Sequence, residues 1–505
     1  MFRPSPSSSP TAGPFRALLI AALASALLVA ALPGSATAQQ TATQRYLVTY
    51  NGTYALSGKY ALGGNYALNH QYALSLVGKA GGTVVSDMSR QIGLMVVDSA
   101  RQGFADAMRQ DPLVASVIRD FSWKEYPTLQ EAISSGQLKT VNEYALGEPA
   151  AGEEPLQELQ WGLRMIRAPK AHTIEAGWRK VDVGVIDTGI DAAHIDFIRN
   201  GTSNVDISRG ASFAGSPDVA TDNGFHGTHV AGIIAARDND HGVLGVAPNV
   251  TLVPIKVCDA SGYCYASSVA QGITYAGDIR LDVINMSLFA DDDPPANSTQ
   301  FKCKSDPEQY AFRVMVERAV KYARFRGAAP VAAIGNSGTG LRWPGETQPG
   351  ATDEDCDVVP AEVEGVTATV ALGPDALKSS YSSYGFRHAD VAAPGGDAED
   401  LDETCTAEII STLPGNTWGC LSGTSMASPH VAGVAALIVS RSGTLGSDGD
   451  VKVPVGSVDT RLKSTAVDIG KQGYDKCYGD GRLDALRAVK NVTKDLFTSS
   501  GCSEY

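Results

Sequence analysis

The fold is decided by the stretch Val183-Gly184-Val185-Ile186-Asp187-Thr188-Gly189-Ile190. Its apolar residues are typical of a strand, and the strand ends in a carboxylate that is followed by a glycine turn. Functional sites of open α/β sheets form at the carboxyl ends of the strands. The stretch therefore predicts a strand that carries Asp187 to a site. The alternatives are an aspartate that caps the next turn, or an aspartic protease, which needs a second Asp-Thr-Gly that the chain lacks.

Apolar strands and helices alternate from residue 181 onward. Strands are predicted at residues 181–186, 252–257, 283–286, 330–334 and 367–372. Helices are predicted at 226–236, 266–277 and 308–326, the last with Asp306 as its N-cap and Pro307 in its first turn. Such alternation indicates an α/β domain with a doubly wound, mostly parallel sheet and helices on both faces.

A smaller unit precedes this domain. Residues 45–121 are predicted to form a strand, a helix, two strands, a helix and a strand, which is the ferredoxin-like α+β arrangement. Residues 124–159 are polar and enriched in Pro, Gly and Glu, so this stretch predicts a linker.

The tripeptide Tyr-Ala-Leu recurs at Tyr54, Tyr60, Tyr66 and Tyr72 with a period of six, and once more at Tyr144. A period of six fits neither the α-helix nor a solenoid, whose repeats have about 20 or more residues. We interpret the tandem copies as a duplication that lengthens the first helix or the loop beside it.

The composition excludes several classes of protein. Of the 505 residues 43% are apolar and 19% are charged, which is typical of a globular protein and not of a disordered or fibrous one. The net charge of −14 argues against a large nucleic-acid interface, which needs clustered Lys and Arg. We therefore expect no nucleic-acid partner.

Residues 1–38 are predicted to be a signal peptide. A basic start with Arg3 and Arg16 precedes the apolar run 17–32, and Ala36-Thr37-Ala38 supplies a small-residue cleavage site. The alternative is a membrane anchor, but the apolar run is shorter than the ~20 residues that span a bilayer. We expect cleavage after Ala38, secretion, and no association with a membrane afterwards.

All eight cysteines lie in the second half of the chain, and an even number in an exported protein indicates disulfides. Spacing does not determine their pairing. Proximity along the chain favours Cys258–Cys264 and Cys405–Cys420 and, after these, Cys303–Cys356 and Cys477–Cys502.

Two further motifs carry residues of acyl-transfer chemistry. In His226-Gly227-Thr228-His229, His226 at the mouth of a predicted helix is the natural base, and His229 is interpreted as a buried, hydrogen-bonded imidazole. A zinc site is disfavoured because the pair lacks the glutamate of H-E-x-x-H. In Gly423-Thr424-Ser425-Met426, Ser425 begins a small-residue helix, where it is either an N-cap or a nucleophile that needs a base. Asn336 follows a strand and can donate to an oxyanion.

The order Asp187, His226, Asn336, Ser425 resembles the subtilisin-like serine proteases (subtilases) of the bacterial secreted type, over residues 161–486. The resemblance implies that Asp187 orients His226, that His226 is general base and then acid, and that Ser425 attacks the peptide carbonyl. Asn336 and the Ser425 N–H would hold the tetrahedral oxyanion.

The resemblance also implies that extended peptides bind as added strands. The matching positions are Ser287, Leu288 and Phe289 on one side and Gly262 and Tyr263 on the other. At Phe289 the family usually has glycine, so this side chain is expected to narrow the pocket for the residue before the scissile bond. A Cys258–Cys264 bridge would stiffen the second edge.

The unit at 45–121 resembles the inhibitor-type prodomain of the family. We expect a signal peptide at 1–38, an inhibitory and chaperoning prodomain with its linker at 39–148, and the catalytic domain at 149–505. A further hypothesis is that self-cleavage follows Leu146, so that the upstream Tyr-Ala-Leu copies act as decoy cleavage sites.

The function expected from the sequence is therefore that of a secreted serine endopeptidase, made as a zymogen, that cleaves extended proteins or peptides as a monomer. No cofactor is expected for catalysis. Acidic residues cluster at Asp291–Asp293, Asp353–Asp357 and Asp397–Glu403. These runs are interpreted either as structural Ca²⁺ sites or as solvated loops. The competing functions are a processing protease of narrow specificity and an inactive binding protein on the same scaffold.

Overall fold

The computed structural model describes residues 42–51, 64–143, 146–147, 149–290, 306–341, 357–397, 405–493 and 497–498. The signal peptide predicted at 1–38 lies outside these residues. None of the helices in the described part of the chain combines the length and hydropathy needed to span a bilayer.

The amino-terminal unit is a small antiparallel sheet with two helices. Its elements are β1 (Gln44–Tyr50), α1 (Gly64–Ala80), β2 (Thr83–Met88), β3 (Leu94–Ser99), α2 (Phe104–Arg109) and β4 (Val114–Arg119). The strand order is β2-β3-β1-β4. One sheet face packs on α1 and α2, with Phe104 at the centre of that cluster. Leu47 and Ile118 belong instead to the large core of the following domain, so the unit is docked on that domain.

Residues 122–141, which we call the covering segment, connect the two parts. The sequence predicts a linker over residues 124–159, whereas the structure has β5 (Ser122–Lys124), α3 (Leu129–Ser134) and β6 (Lys139–Val141) at and after the start of that stretch. The prediction was wrong for this stretch because its strands pair with distant partners and not with each other. Only α3 has a local signal, the capping box of Thr128 and Glu131.

The large domain follows the covering segment. Its elements up to the end of the fourth sheet strand are α4 (Trp161–Met165), α5 (Ala168–His172), β7 (Asp182–Asp187), β8 (Ile198–Arg199), β9 (Thr202–Ser203), β10 (Ala211–Ser212), α6 (His226–Ala235), β11 (Thr251–Lys256), β12 (Tyr263–Tyr265), α7 (Ala266–Asp278) and β13 (Val283–Met286). The rest are α8 (Pro307–Arg326), β14 (Ala329–Ala333), β15 (Thr367–Leu372), β16 (Val391–Pro394), β17 (Ile409–Leu413), β18 (Thr417–Leu421), α9 (Thr424–Ser442), β19 (Thr444–Leu445), β20 (Val451–Lys452), α10 (Val455–Ser464), β21 (Asp468–Ile469), α11 (Ala485–Lys490) and β22 (Phe497–Thr498).

A parallel sheet organises this domain. Within the described residues it has seven strands in the order β10-β11-β7-β13-β14-β15-β16. Alternate residues of β7 face opposite sides: Val183 and Val185 pack in the cluster with α6 and α9, and Ile186 in the cluster with α7 and α8. The predicted doubly wound α/β fold with helices on both faces is confirmed, as are the strands and helices predicted along it.

Disulfides fix two of the loops. Cys258 is bonded to Cys264 and Cys405 to Cys420, as proximity along the chain predicts. Cys303, Cys356 and Cys502 lie outside the described residues, so the other two pairings stay predictions.

The Tyr-Ala-Leu copies at Tyr66 and Tyr72 lie in α1. The Tyr72 hydroxyl donates to Asp111 Oδ2 at 2.5 Å, which ties this helix to the turn before β4. The copies at Tyr54, Tyr60 and Tyr144 lie outside the described residues.

Candidate active site

The structure brings Asp187 and His226 together at the carboxyl edge of the sheet. Asp187 is the last residue of β7 and is fully buried, and His226 is the first residue of α6. His226 Nδ1 lies 3.0 Å from both Asp187 carboxylate oxygens, and Oδ1 also accepts from the Thr188 backbone N–H at 2.7 Å. The carboxylate is thereby held in position to accept the imidazole N–H.

The start of α6 is held by a residue that sequence reasoning missed. The buried Asp222 carboxylate accepts from the backbone N–H groups of Gly224, Phe225 and Thr228. Phe225 has a φ of 90°, an unfavourable conformation for a bulky residue, and these hydrogen bonds offset its cost. Burial raises the pKa of Asp222. In the sequence, only its position four residues before His226 indicates a role in the site.

Helix α6 approaches β7 closely because Gly227 has no side chain. A Cβ atom at this position would lie 2.1 Å from the Gly189 carbonyl oxygen. Any other residue would push the helix, and with it the His226 imidazole, away from Asp187. The glycine after the histidine is therefore required by packing.

Ser425 lies in the first turn of α9 and is anchored to the strand end across from it. Its carbonyl oxygen would normally bond the N–H of Pro429, which proline lacks, and it accepts instead from Ser287 Oγ at 2.7 Å. Asn285 donates to Ser287 Oγ, and Ser428 donates to Asn285. The Ser425 hydroxyl donates to the Ser287 carbonyl at 3.2 Å, so its proton is directed there and not to His226.

Asn336 follows β14 and has a fixed amide orientation. Its Oδ1 accepts from the backbone N–H and the hydroxyl of Thr424, at 2.9 and 2.8 Å. The Nδ2 donor is then left for a cavity of about 410 Å³ that His226, Asn336 and Ser425 all line. The arrangement supplies a nucleophile, a base, a carboxylate and an amide donor in one place.

His229 is structural, as the sequence interpretation has it. It is fully buried in α6, and its Nε2 lies 3.1 Å from the Gly419 carbonyl oxygen. Burial, with a contribution from His226, lowers the pKa of His229 to about 3, so the ring is neutral.

The covering segment lies over the candidate catalytic residues. The Tyr126 ring stacks on the His226 imidazole with centroids 3.8 Å apart, and its hydroxyl donates to the Ser287 carbonyl at 2.8 Å. β5 pairs antiparallel with β12, and the N–H groups of Glu125 and Tyr126 both donate to the Gly262 carbonyl. Sequence reasoning gave no role to Tyr126, which lies in the stretch taken for a linker.

Four of the five predicted substrate-binding residues contact the covering segment through their backbones, namely Ser287, Phe289, Gly262 and Tyr263. The Phe289 carbonyl accepts from Trp123 Nε1 at 3.1 Å, while its partly buried ring packs against the core. Leu288 is fully buried in that core.

The far end of the covering segment holds an ion pair. β6 pairs antiparallel with β18, and Lys139 Nζ lies 2.7 Å from Glu408 Oε1. Glu408 lines the same cavity as Ser425. No sequence motif marks Glu408, because its partner is more than 250 residues away in the chain.

The residues considered for calcium are largely outside the described part of the chain. Asp357 is described and pairs with Arg313. Among the described residues, no group of three or more His, Cys, Asp or Glu side chains is arranged to hold a metal.

Comparison with known proteins agrees with this geometry. Residues 179–481 match the model of the Subtilase family. The chain is 37% identical over 334 residues to Subtilisin DY of Bacillus licheniformis, covering 66% of this chain and all of that protein. It is 36% identical over 364 residues to Subtilisin E of Bacillus subtilis, covering 72% of this chain and 80% of that protein.

Solved structures show the same fold. The epidermin leader peptide processing serine protease of Staphylococcus aureus aligns with a TM-score of 0.63 at 18% identity, over 90% of this chain and 99% of that one. A lanthipeptide protease aligns with a TM-score of 0.53 at 26% identity, over 66% of this chain and 93% of that one. The fold and site define a subtilisin-like serine-type endopeptidase. The chain belongs to the Subtilase family.

Proposed function

We propose that this endopeptidase cleaves extended proteins or peptides through the triad of Asp187, His226 and Ser425. The observation that carries the proposal is the 3.0 Å contact of Asp187 with His226 Nδ1, in the cavity that Ser425 also lines. A serine hydroxyl is a weak nucleophile until a neighbouring base accepts its proton. His226 lines the same cavity and is the base in this proposal, once the Ser425 hydroxyl rotates away from the Ser287 carbonyl.

The reaction follows from these positions. Ser425 Oγ attacks the peptide carbonyl while His226 Nε2 accepts its proton, and Asp187 stabilises the imidazolium that forms. The Asn336 amide and the Ser425 N–H donate to the oxyanion of the tetrahedral intermediate. His226 then protonates the leaving amine, and water hydrolyses the acyl-enzyme by the same route. Catalysis needs no cofactor in this scheme.

The protein is proposed to be a secreted zymogen in which residues 42–141 inhibit the catalytic domain. Three contacts support this. Tyr126 covers His226, and Asp120 caps α7 by accepting from the backbone N–H and hydroxyl of Ser267. Arg318 of α8 donates to the Tyr50 carbonyl, which holds the amino-terminal sheet on the helix.

The covering segment is proposed to act as an inhibitor and not as a substrate at Tyr126. A Cβ atom on Gly262 would lie 1.9 Å from the Tyr126 carbonyl oxygen, so this carbonyl faces Gly262 and not Asn336. Pro127 follows, and the capping box of α3 at Thr128 then takes the chain out of the extended conformation that a protease needs.

The maturation cut is therefore expected elsewhere in the connection to the catalytic domain. Cleavage after Leu146 remains our hypothesis, and the 44% exposure of the Leu146 side chain is compatible with access by a protease. The mature protein is proposed to act as an extracellular monomer, with structural Ca²⁺ at acidic loops.

A processing protease of narrow specificity is the second candidate. The Cys258–Cys264 disulfide brackets Gly262 and Tyr263 and stiffens the edge to which a substrate strand would add. The 26% identical solved structure is a lanthipeptide protease. A cleavage profile on a peptide library distinguishes this candidate from a general protease.

The test compares the secreted wild type with Ser425→Ala by intact mass, amino-terminal sequencing and fluorophosphonate labelling. We expect the wild type to lose about a hundred residues beyond the signal peptide and to be labelled, while Ser425→Ala stays whole and unlabelled. Maturation of both chains would mean that another protease removes the inhibitor. Absence of labelling and of peptide cleavage in the wild type would favour the inactive scaffold.

A further inference from the structure

The carboxyl-terminal arm of the covering segment, residues 139–141, brings a cation to the edge of the cavity that Ser425 lines. Lys139 is the first residue of β6 and lies opposite Cys420 of β18. Its ammonium is 2.7 Å from Glu408 Oε1, and the two side chains are 21% and 7% exposed. The lysine therefore reaches an acidic group beside the catalytic residues and not the solvent.

Glu408 is held firmly in this place. It directly precedes β17, and its carbonyl oxygen accepts from Trp161 Nε1 at 2.9 Å. With the covering segment bound, Glu408 Oε2 is buried and has no hydrogen-bond partner among the described residues. When the segment leaves, the carboxylate loses its cation and faces the emptied cleft. A charged group in such a place favours a ligand of opposite charge.

The path of the covering segment indicates which part of a substrate would reach Glu408. β5 adds antiparallel to β12, and β6 adds antiparallel to β18, so one chain direction satisfies both edges. Between the two strands the segment passes His226 and Ser425, which line the cavity beneath Tyr126 and Gln137. A substrate strand added to the same edges in the same direction has the part after its scissile bond against β18.

We infer that Glu408 is a specificity-determining residue that selects Lys or Arg on the carboxyl side of the scissile bond, at the position opposite Cys420. The inference rests on the proposed function. In the uncleaved chain, Lys139 occupies this position opposite Cys420. Arginine is the better ligand, because its planar fork can donate to Oε1 and to the unpaired Oε2 together.

The experiment uses the matured wild-type protein and a set of otherwise identical peptides. Arg, Lys or the uncharged norleucine stands in turn at each of the first five positions after the scissile bond. We expect kcat/KM for Arg to exceed that for norleucine by about 10-fold to 100-fold at one position, with Lys between them, as for a charged hydrogen bond. At the other positions the ratio should stay near 1.

Glu408→Gln keeps the shape of the side chain and removes its charge. In this variant the ratio at the selective position should fall to about 1, and Glu408→Asp should give an intermediate ratio. The matched control is Glu364→Gln, which removes a charge from a side chain that is 84% exposed and should leave the ratio unchanged.

Each possible result either supports or overturns the role of Glu408. A wild-type ratio near 1 at every position overturns the inference even if Glu408→Gln does not fold, while labelling of Ser425 and cleavage of the peptides keep the proposed function. A ratio that survives in Glu408→Gln overturns it as well. If Ser425 is not labelled and no peptide is cut, the proposed function fails and the inference fails with it.

Discussion

The catalytic groups and the covering segment lie against each other, yet they are held by different contacts. Asp187 ends a strand in the middle of the sheet, and His226 and Ser425 lie in helices whose residues here are buried. The covering segment is attached at the edges of sheets, through strands of three residues each. Its helix α3 leaves Leu129 and Ile133 37% and 43% exposed.

The proposed catalytic centre is therefore built into the core, whereas the covering segment is attached at its periphery, as its proposed role as a removable inhibitor requires. Taking the cover away leaves every hydrogen bond between Asp187, His226 and their helix intact. The two arms of the covering segment, residues 122–126 and residues 139–141, also differ from each other. The amino-terminal arm binds by aromatic stacking on His226, and the carboxyl-terminal arm by the Lys139–Glu408 ion pair.

Changes in the buried centre should have the largest effects. Asp187→Asn keeps the size of the side chain but presents a donor to His226 Nδ1, which favours the wrong tautomer of the imidazole. We expect kcat to fall by about 10⁴-fold, measured on a peptide substrate after immobilised wild-type protein has processed the variant, because the variant would not mature by its own activity. Asp238→Asn, at a side chain that is 64% exposed, is the control and should change kcat less than about twofold. A similar loss in both variants would contradict the role of Asp187.

The oxyanion donor should matter less than the triad. Asn336→Ala removes the amide, and we expect kcat to fall by about 10²-fold to 10³-fold with little change in KM. Asn336→Asp retains an acceptor for Thr424 and lacks the donor, so the two variants should lose similar activity. Recovery of activity in Asn336→Asp alone would mean that the residue acts by holding Thr424.

The amino-terminal arm of the cover should give the next effect. In the Ser425→Ala chain, which cannot cut itself, Tyr126→Ala removes the ring on His226 and the hydrogen bond to Ser287. Loss of a buried aromatic side chain costs about 3 kcal/mol, so hydrogen exchange of residues 122–126 should accelerate by about 100-fold. Tyr72→Ala, at a tyrosine that is 49% exposed, should leave this exchange unchanged. Unchanged exchange in Tyr126→Ala would show that backbone pairing alone holds the arm.

The carboxyl-terminal arm should respond more weakly. Lys139→Ala in the same background should accelerate exchange of residues 139–141 by about 10-fold, since a hydrogen bond between charged groups contributes about 1.5 kcal/mol. Lys124→Ala is the matched control, because its pair with Glu131 is exposed and lies within the segment, and it should change this exchange less than about twofold. Equal effects of the two lysines would remove the distinction between the arms.

The smallest effect is the pH dependence of local stability, which has opposite signs in the covering segment and in the sheet of the large domain. Hydrogen bonds from Lys124 and Thr128 lower the pKa of Glu131 to about 2, so its support of α3 is complete above about pH 4.5 and lost as the pH falls through 2. Burial raises the pKa of Asp282 to about 7, so its contribution is complete below about pH 4 and lost as the pH rises through 7.

Acid should therefore loosen α3 before the sheet. The measurement is hydrogen exchange of residues 129–134 and of β13 in the Ser425→Ala chain between pH 6 and 2, corrected for intrinsic rates. Glu131→Gln should remove the dependence from α3 and leave that of β13. A loss of protection at β13 that precedes the loss at α3 would contradict the assignment.

The residues of the centre could be located from the sequence because each is marked by the element that carries it. An apolar strand ends at Asp187, one small-residue helix begins at His226, and a second carries Ser425 in its first turn. In a parallel sheet these ends meet at one edge, so local patterns along the chain were sufficient to bring distant residues together. Asp222 was not marked in this way, because its role depends on the unusual backbone of Phe225.

The covering segment, in contrast, owes its order to contacts with distant parts of the chain. Residues 122–141 are too few and too polar to bury a core of their own, so their composition predicts a linker. They are ordered because the free edges of β12 and β18 supply hydrogen bonds, at Lys124 opposite Tyr263 and at Lys139 opposite Cys420. The fold and the grouping of Asp187, His226 and Ser425 follow from the amino-acid sequence alone, since local periodicity and strand ends predict both. The contacts of Tyr126 with His226 and of Lys139 with Glu408 join residues a hundred or more positions apart, and no local pattern encodes them.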